Sequence, residues 1–256
     1  MKRIKKSWRA WSPGDQDLSS KNLQAVILAG GLGTRLRPYT LVLPKPMLPV
    51  GEKPILQHII EWLREGGITE IVVSTGYLGR FIEEYFKDGA ELGVKIDYAT
   101  SQHPLGTGGQ LKAAESKIRG RFVCLYGDAL LKFDLKKLIR FHARHSALAT
   151  MALMKYSTEL KYGFMETSSA GRLLGWKEKP KITGFINVGC YAMEKKFLSY
   201  MPPNEMFGMD KAFDRAMKAG EVLCGAKVEG EFLDIGDRQS YKEANDIYVK
   251  RLGKVL

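Results

Sequence analysis

Three glycines and two cations near the start of the chain have the residue types and spacing to bind a polyphosphate. The segment Gly30-Gly31-Leu32-Gly33 comes directly after residues 25–28, an apolar run typical of a buried strand. Glycine has no Cβ, so the backbone there can fold tightly and bring its N–H groups against a ligand. Arg35 and Lys45 then add two positive charges. A strand, a glycine turn and two cations together predict a phosphate-binding loop.

Two common glycine motifs do not match this segment. A P-loop has Gly-Lys-Ser/Thr after its glycines, and the dinucleotide fingerprint has the order Gly-x-Gly-x-x-Gly, whereas the order here is Gly-Gly-x-Gly. Taken alone, the turn is equally compatible with a tight exit from a strand that binds nothing. The choice between these two interpretations depends on residues elsewhere in the chain.

Two aspartates follow apolar stretches that are far apart in the sequence. Asp128 comes after the run at residues 122–126, and Asp234 lies in the run at residues 231–236, with Asp237 close by. A carboxylate at the carboxyl end of a central strand faces the ligand crevice of an α/β sheet and can hold a hard cation. An isolated Gly-Asp is more typical of a helix cap. Two carboxylates from distant segments can, however, share one Mg²⁺ that keeps positions for water and phosphate oxygens.

Strands and helices alternate along most of the chain and would bring these groups together. Apolar runs predict strands at residues 25–28, 71–75, 94–98, 122–126, 149–154 and 222–228. Apolar residues at helical positions predict helices after Pro54 and at residues 81–86, 135–144 and 241–248, and further helices are expected near Thr107 and at residues 210–219. This alternation predicts an α/β fold with a doubly wound, mainly parallel sheet and helices on both faces. Residues 162–180 are predicted to form a β-hairpin instead, because a Ser-Ser-Ala-Gly turn separates two short runs.

Composition and charge limit the possible function classes. With 256 residues and 45% hydrophobic content the chain can bury a substantial core, and it has no apolar run long enough to span a membrane. The net charge is +12, but five cations lie in the first eleven residues, and the sequence lacks an aromatic nucleic-acid reader motif. We therefore predict a basic extension at residues 1–22, a catalytic domain at residues 23–256 and no nucleic-acid partner. Three cysteines in apolar segments favour reduced thiols and a cytoplasmic location.

The string from Leu28 to Pro38, followed by Pro44-Lys45-Pro46, closely resembles the signature of the sugar-1-phosphate nucleotidylyltransferases. The resemblance covers about residues 23 to 250 and implies a Rossmann-like fold with a small β-hairpin insertion that binds the sugar. It implies Mg²⁺ on Asp128 and Asp234. The implied catalytic residues are Arg35, Lys45 and Lys179. The implied nucleotide contacts are Leu28, Ala29, Gly30, Gly31, Gly33, Thr34, Gln102 and Gly106, of which Gln102 and Gly106 would read the base. The implied sugar-phosphate contacts are Tyr162, Gly163, Glu178, Asn187 and Val188.

The family's reaction joins a nucleoside triphosphate to a sugar 1-phosphate and releases pyrophosphate. Residues 104–109, together with Leu-Pro-Lys-Pro-Met at residues 43–47, look most like the mannose-1-phosphate and heptose-phosphate guanylyltransferases. We therefore expect GTP and mannose 1-phosphate as substrates, in a homo-oligomer. The alternatives are a glucose-1-phosphate uridylyl- or thymidylyltransferase, or a catalytically silent regulatory subunit that binds nucleotide sugars.

Overall fold

Strands and helices alternate in the computed structural model, which describes residues 23–252. The predicted basic extension at residues 1–22 lies outside the described residues, as do residues 253–256. The strands are β1 (Gln24–Leu28), β2 (Pro49–Val50), β3 (Lys53–Pro54), β4 (Glu70–Thr75), β5 (Lys95–Thr100), β6 (Phe122–Tyr126), β7 (Ala129–Phe133), β8 (Ala149–Glu159), β9 (Phe164–Thr167), β10 (Leu173–Lys177), β11 (Lys181–Met193), β12 (Leu223–Val228) and β13 (Gly230–Asp234). The α-helices are α1 (Ile55–Glu65), α2 (Gly79–Phe86), α3 (Gly106–Ala113), α4 (Leu135–Arg144), α5 (Met209–Lys218) and α6 (Arg238–Leu252). Short 3₁₀ helices lie at Thr34–Leu36, Tyr39–Leu41, Lys45–Met47, Ala90–Leu92, Glu115–Lys117 and Lys195–Tyr200.

Seven strands form the main sheet in the order β12-β8-β11-β6-β1-β4-β5. Strand β1 lies between β4 and β6 and is parallel to both, β5 is parallel to β4, and β12 is parallel to β8. Strand β11 is antiparallel to both of its neighbours, β6 and β8. The sheet is therefore mixed and mainly parallel, which confirms the predicted fold class.

Apolar side chains pack on both faces of this sheet. One core cluster joins the sheet to α1, α2, α4 and α6, and the other joins it to α3, α5 and the 3₁₀ helix at Lys195–Tyr200. Helix α1 illustrates how a helix packs on the sheet. Its apolar residues Ile55, Ile59 and Leu63 recur at helical spacing and are buried, and the N–H of Gly66 closes its last turn. Burying a side chain of this size contributes about 1.5–3 kcal/mol to stability. A helix with such an apolar stripe therefore packs against the sheet, and helices of this kind cover both of its faces.

Strands β8 and β11 continue beyond the core as a two-stranded arm. The sequence predicts that β8 ends at residue 154, but in the structure it continues to Glu159. Residues 155–159 of β8 pair with residues 181–185 of β11, although both segments are exposed. The predicted hairpin is present, because β9 and β10 pair antiparallel beside this arm. Backbone pairing therefore holds this region together, with little burial of side chains.

Strand β7 was not predicted, and it forms a separate antiparallel ladder with β13. The two strands are about a hundred residues apart in the chain, so no local pattern reveals the pairing. Its register places Asp234 opposite Ala129, the residue that follows Asp128. Within the described residues, no helix is both long and apolar enough to cross a bilayer.

Candidate active site

The glycine loop leaves the carboxyl end of β1 and is fixed by hydrogen bonds at both of its ends. The N–H of Gly30 donates to Oε1 of Gln110 on α3 at 2.9 Å, and the carbonyl of Gly33 accepts from the Thr40 hydroxyl at 2.8 Å. Gly33 has a φ of +59°, and a Cβ there would lie 2.8 Å from Cγ2 of Thr40. A side chain would therefore be strained and crowded at this position, so the loop depends on glycine here.

This loop forms one wall of a cavity of about 340 Å³. The opposite wall comes from the end of β6 and from α3. The lining residues are Leu28, Ala29, Gly31, Gly33, Thr34, Arg35, Lys45, Pro46, Thr107, Gln110, Tyr126, Gly127, Asp128 and Gly236. The structure thus brings together most of the predicted phosphate-loop residues, two of the three predicted catalytic cations and one of the two predicted metal ligands. Lys179 and Asp234 are not among the lining residues. A cavity with these donors can hold a polyphosphate.

Lys45 and Asp128 form an ion pair in this cavity. Nζ of Lys45 donates to Oδ2 of Asp128 at 2.6 Å. The lysine side chain is only 9% exposed, whereas that of Asp128 is 39% exposed. The local sequence explains the burial, since Pro44 and Pro46 flank Lys45 at the start of a 3₁₀ helix whose residues are all buried. Solvent therefore reaches the pair mainly from the aspartate side.

The second aspartate, Asp234, lies next to this pair. Burial raises the pKa of Asp234, the negative charge of Asp128 raises it further, and Lys45 and Arg35 oppose the shift. A Cβ on Gly236 would meet Oδ2 of Asp234 at 3.1 Å and the Arg35 guanidinium at 3.5 Å. Two carboxylates that repel one another beside two cations form a site that can accept a divalent cation.

Asp237, the nearby alternative, has a different role. Its Oδ1 accepts hydrogen bonds from the backbone N–H of Ser240 at 2.9 Å and from the Ser240 hydroxyl at 2.9 Å, which caps the start of α6. These hydrogen bonds lower the pKa of Asp237. No cluster of three or more histidine, cysteine, aspartate or glutamate side chains suited to a metal occurs among residues 23–252. A cation on Asp128 and Asp234 would therefore take its other ligands from water or substrate.

The two predicted base contacts are not among the residues that line this cavity, although Gly106 directly precedes Thr107, which does. Gln102 is exposed in the loop after β5. Gly106 begins α3 with a φ of +65°, and a Cβ there would lie 2.8 Å from the carbonyl oxygen of Phe207. The predicted base contacts remain predictions.

Sequence reasoning did not identify Thr107, Gln110 and Tyr126, which line the cavity. Gln110 is 8% exposed and holds the glycine loop. No sequence pattern marks it, because its helix has no distinct apolar face. No sequence pattern distinguishes Thr107 or Tyr126 from ordinary residues of a helix start and a strand end.

The predicted sugar-phosphate contacts lie in the two connections between the arm and the β9–β10 hairpin and on the inner part of β11. Tyr162 is 82% exposed, and Glu178 accepts a hydrogen bond from the Trp176 indole at 3.2 Å. Lys179 follows with a φ of +41°. Gly163 approaches this pair, because a Cβ there would lie 3.0 Å from both Oε2 of Glu178 and Nε1 of Trp176.

The other two predicted contacts lie where β11 enters the sheet. The pairing of β11 with β8 is irregular between Asn187 and Tyr191, and Val188 in this segment is 2% exposed. Asn187 uses its side chain in hydrogen bonds to Gly189 and Tyr191. Val188 therefore presents almost no surface to a ligand in this structure. The roles assigned to the sugar-phosphate set remain predictions.

A second cavity of about 400 Å³ lies on another part of the molecule, between α1, β7, β13 and α6. Its walls include Trp62, Leu131 and Tyr248, and it contains none of the predicted ligand-binding residues. The larger cavity is thus separate from the phosphate loop and its cations.

A glycine loop, two cations and Asp128 lie together beside the carboxyl ends of β1 and β6, with Asp234 next to them, an arrangement typical of nucleotide-binding α/β proteins. Residues 24–251 match the model of the nucleotidyl transferase family, and the chain belongs to that family. A mannose-1-phosphate guanylyltransferase from Mycobacterium tuberculosis is 34% identical over 88% of this chain and 64% of its own length. A UTP–glucose-1-phosphate uridylyltransferase from Synechocystis is 32% identical over 87% of this chain and 62% of its own length. The chain thus spans less than two thirds of these two relatives.

Solved structures show the same fold. The crystal structure of HddC from Yersinia pseudotuberculosis complexed with GMP-PN has a TM-score of 0.71 and 28% identity to this chain. The superposition covers 88% of this chain and 99% of that one. The similarity therefore extends through most of this chain.

Proposed function

We propose that this chain catalyses nucleotidyl transfer, forming a nucleoside-diphosphate sugar and pyrophosphate from a nucleoside triphosphate and a sugar 1-phosphate. The observation that supports this most strongly is the convergence on one cavity of the glycine loop, Arg35, Lys45 and Asp128, with Asp234 close enough for their charges to shift its pKa. The family match over residues 24–251 supports the same reaction class.

In this proposal the glycine loop binds the triphosphate through its backbone N–H groups. Arg35 and Lys45 neutralise the negative charge that builds up on the departing pyrophosphate. Lys179 holds the phosphate of the sugar substrate, which the triphosphate would otherwise repel. The attacking phosphate oxygen is already ionised at neutral pH, so no general base is needed. Positioning and charge neutralisation supply most of the acceleration in phosphoryl-type transfer.

Asp128 and Asp234 would hold a Mg²⁺ ion. The fit rests on the donor set, since two hard oxygen ligands lie close enough for the charge of Asp128 to raise the pKa of Asp234. When bound, Mg²⁺ neutralises phosphate charge. For Asp128 to bind the metal, Lys45 would turn from the carboxylate to a phosphate oxygen.

For the substrates we propose GTP and mannose 1-phosphate. The loop at residues 104–109 supports this choice, as do the guanylyltransferase relative and the complex of HddC with GMP-PN. UTP or dTTP with glucose 1-phosphate is the second candidate, because a uridylyltransferase is almost equally similar. A few pocket contacts decide such specificity. A silent regulatory subunit would bind nucleotide sugars without turnover.

The test is pyrophosphate release with Mg²⁺, measured for five nucleoside triphosphates, each combined with four sugar 1-phosphates. Asp128→Asn removes the proposed metal ligand. The matched control is Asp97→Asn, because Asp97 is an exposed aspartate on the edge strand β5. We expect turnover with one preferred pair, at least a 100-fold loss in Asp128→Asn and no loss in Asp97→Asn. Silence across the panel in protein that binds nucleotide sugar would favour the regulatory subunit instead.

We also propose that the enzyme is cytoplasmic and a homo-oligomer with no nucleic-acid partner. Cys124 and Cys190 support the location, since both are free, buried thiols whose pKa burial raises. Cys224 is also free but only half-buried. Sedimentation equilibrium of the whole chain would test the oligomeric state, and a single monomeric species at micromolar concentration would exclude the homo-oligomer.

A further inference from the structure

The side chain of Gln110 on α3 is almost fully buried, yet only one end of its amide is paired. Its Oε1 accepts the N–H of Gly30 at 2.9 Å, and the residue is 8% exposed. A backbone N–H can only donate, so this contact identifies the oxygen end of the amide and fixes its orientation. Within residues 23–252 the NH₂ end of the amide has no hydrogen-bond partner.

This NH₂ group opens into the cavity beside the glycine loop. In the part of the chain that the structure describes, one side-chain polar atom is both fully buried and unpaired, and it is Nε2 of His142. Nε2 of Gln110 is unpaired too, so it must keep some accessible surface. Gln110 lines the cavity of about 340 Å³, so that surface is reached from the ligand space. A donor left unpaired in a nearly buried site is costly, and an acceptor on a ligand removes that cost.

The two ends of the glycine loop adjoin groups of different charge. At its end, a Cβ on Gly33 would lie 3.2 Å from Cβ of Lys45, so this end adjoins a cation. At its start, Gly30 contacts the uncharged amide of Gln110. Cations suit the phosphates of a nucleotide, whereas a neutral amide suits the uncharged group attached to them. In a nucleoside triphosphate that group is the ribose.

Gln110 is held in place by both its side chain and its backbone. The Ser74 hydroxyl donates to the Gln110 carbonyl at 3.2 Å, and Ser74 is fully buried in β4. Gly30 holds the other end of the residue through Oε1. A donor that is fixed before the ligand arrives loses little conformational entropy on binding.

We propose that Gln110 recognises the ribose of the nucleoside triphosphate, by donating from Nε2 to one of the ribose hydroxyl oxygens. This inference rests on the proposed function, because it takes the ligand of the cavity to be the nucleoside triphosphate. The two ends of one amide then have different roles: Oε1 holds the start of the glycine loop, and Nε2 selects ribonucleotides over deoxyribonucleotides. A site built to pair with a hydroxyl discriminates against a ligand that lacks it, because the polar group of the protein is left unpaired.

The test is calorimetric titration of the whole chain with GTP, 2′-deoxy-GTP and 3′-deoxy-GTP, in Mg²⁺ and without sugar phosphate. In the wild type we expect at least one deoxy analogue to bind about 10-fold more weakly than GTP. Gln110→Met keeps the length of the side chain and removes the amide, so that ratio should fall below about twofold. Thr40→Val is the matched control, because the Thr40 hydroxyl holds the Gly33 carbonyl at 2.8 Å and Thr40 is not among the lining residues. It loosens the same loop, so it should weaken all three nucleotides alike and keep the wild-type ratio.

Equal binding of the three nucleotides by the wild type, repeated with UTP and its two deoxy analogues, would overturn the inference without any variant. An equal loss for all three nucleotides in Gln110→Met would also overturn it, since a residue that only holds the loop gives that result. A changed preference between GTP and UTP with the ribose ratio unchanged would assign Gln110 to the base instead. The titrations need no turnover, so a wild type that shows the expected ratio but releases no pyrophosphate loses the proposed reaction and keeps the ribose contact. A wild type that binds no nucleotide loses both.

Discussion

The ion pair between Lys45 and Asp128 leads to an asymmetric prediction for protein stability. Replacing Asp128 with Asn leaves an ammonium group 9% exposed and without its carboxylate. Removing one partner of a fully buried pair costs about 3–5 kcal/mol. Because Asp128 is 39% exposed, water hydrates part of this site, and we expect a smaller loss, about 2 kcal/mol. For a chain of this size that lowers Tm by about 4–8 °C.

Replacing Lys45 with Met should cost less. Methionine keeps the apolar stem in its buried site, and the remaining carboxylate can be hydrated through its exposed side. We expect a loss below about 1 kcal/mol. The double variant should resemble Lys45→Met more than the sum of the two single changes, with a coupling free energy of about 1–2 kcal/mol.

Asp128→Asn also removes the repulsion between Asp128 and Asp234, which works in the stabilising direction. Asp234→Asn is therefore the matched control: it relieves the same repulsion without breaking the ion pair, so stability should stay equal or rise slightly. Urea unfolding of the four variants and the wild type, without nucleotide or metal, measures these differences. Equal losses in Asp128→Asn and Lys45→Met, or additivity in the double variant, would refute the reasoning.

Two further predictions concern a glycine of the site and a buried histidine. Gly236→Ala places a Cβ 3.1 Å from Oδ2 of Asp234, so we expect a folded protein whose rate of pyrophosphate release falls at least about 10-fold. The control is Gly120→Ala, whose Cβ would have no atom within 4 Å and whose activity should equal that of the wild type. Equal activity in the two variants would contradict the idea that a Cβ at Gly236 crowds Asp234. Burial lowers the pKa of His142 against the opposing charge of Glu194. The unfolded chain then binds a proton more readily, so stability should fall as pH drops below the unfolded value of about 6.5. Urea unfolding at pH 5, 6 and 7.5 should show this fall in the wild type and a weaker one in His142→Gln; identical slopes would exclude His142 as its cause.

Local patterns predicted those parts of the fold whose interactions are local. The helix at residues 135–144 and the strand at residues 122–126 have the predicted bounds, because apolar periodicity and capping act within a few residues. The β7–β13 ladder was missed, since its two strands are far apart in the chain and β7 is only five residues long. That ladder is the element that brings Asp128 and Asp234 together.

The candidate site was predicted to the same extent. The glycine loop and Lys45 could be predicted from the sequence, because residue type and spacing identify them. The hydrogen bond from Gly30 to Gln110 and the contact between Tyr191 and Tyr126 join segments 65 or more residues apart, so only the folded structure shows them. Residue types alone do not reveal which polar groups a fold brings into contact.

The most direct test of the central claim is the fate of the α-phosphorus, followed by ³¹P NMR with GTP, mannose 1-phosphate and Mg²⁺. Nucleotidyl transfer predicts that the signals of GTP and of the sugar phosphate are replaced together by those of a sugar-linked diphosphate and of pyrophosphate, in equal amounts. The alternative pair, UTP and glucose 1-phosphate, is measured beside it. Release of inorganic phosphate without pyrophosphate, or loss of triphosphate signals while the sugar phosphate remains unchanged, would contradict the account.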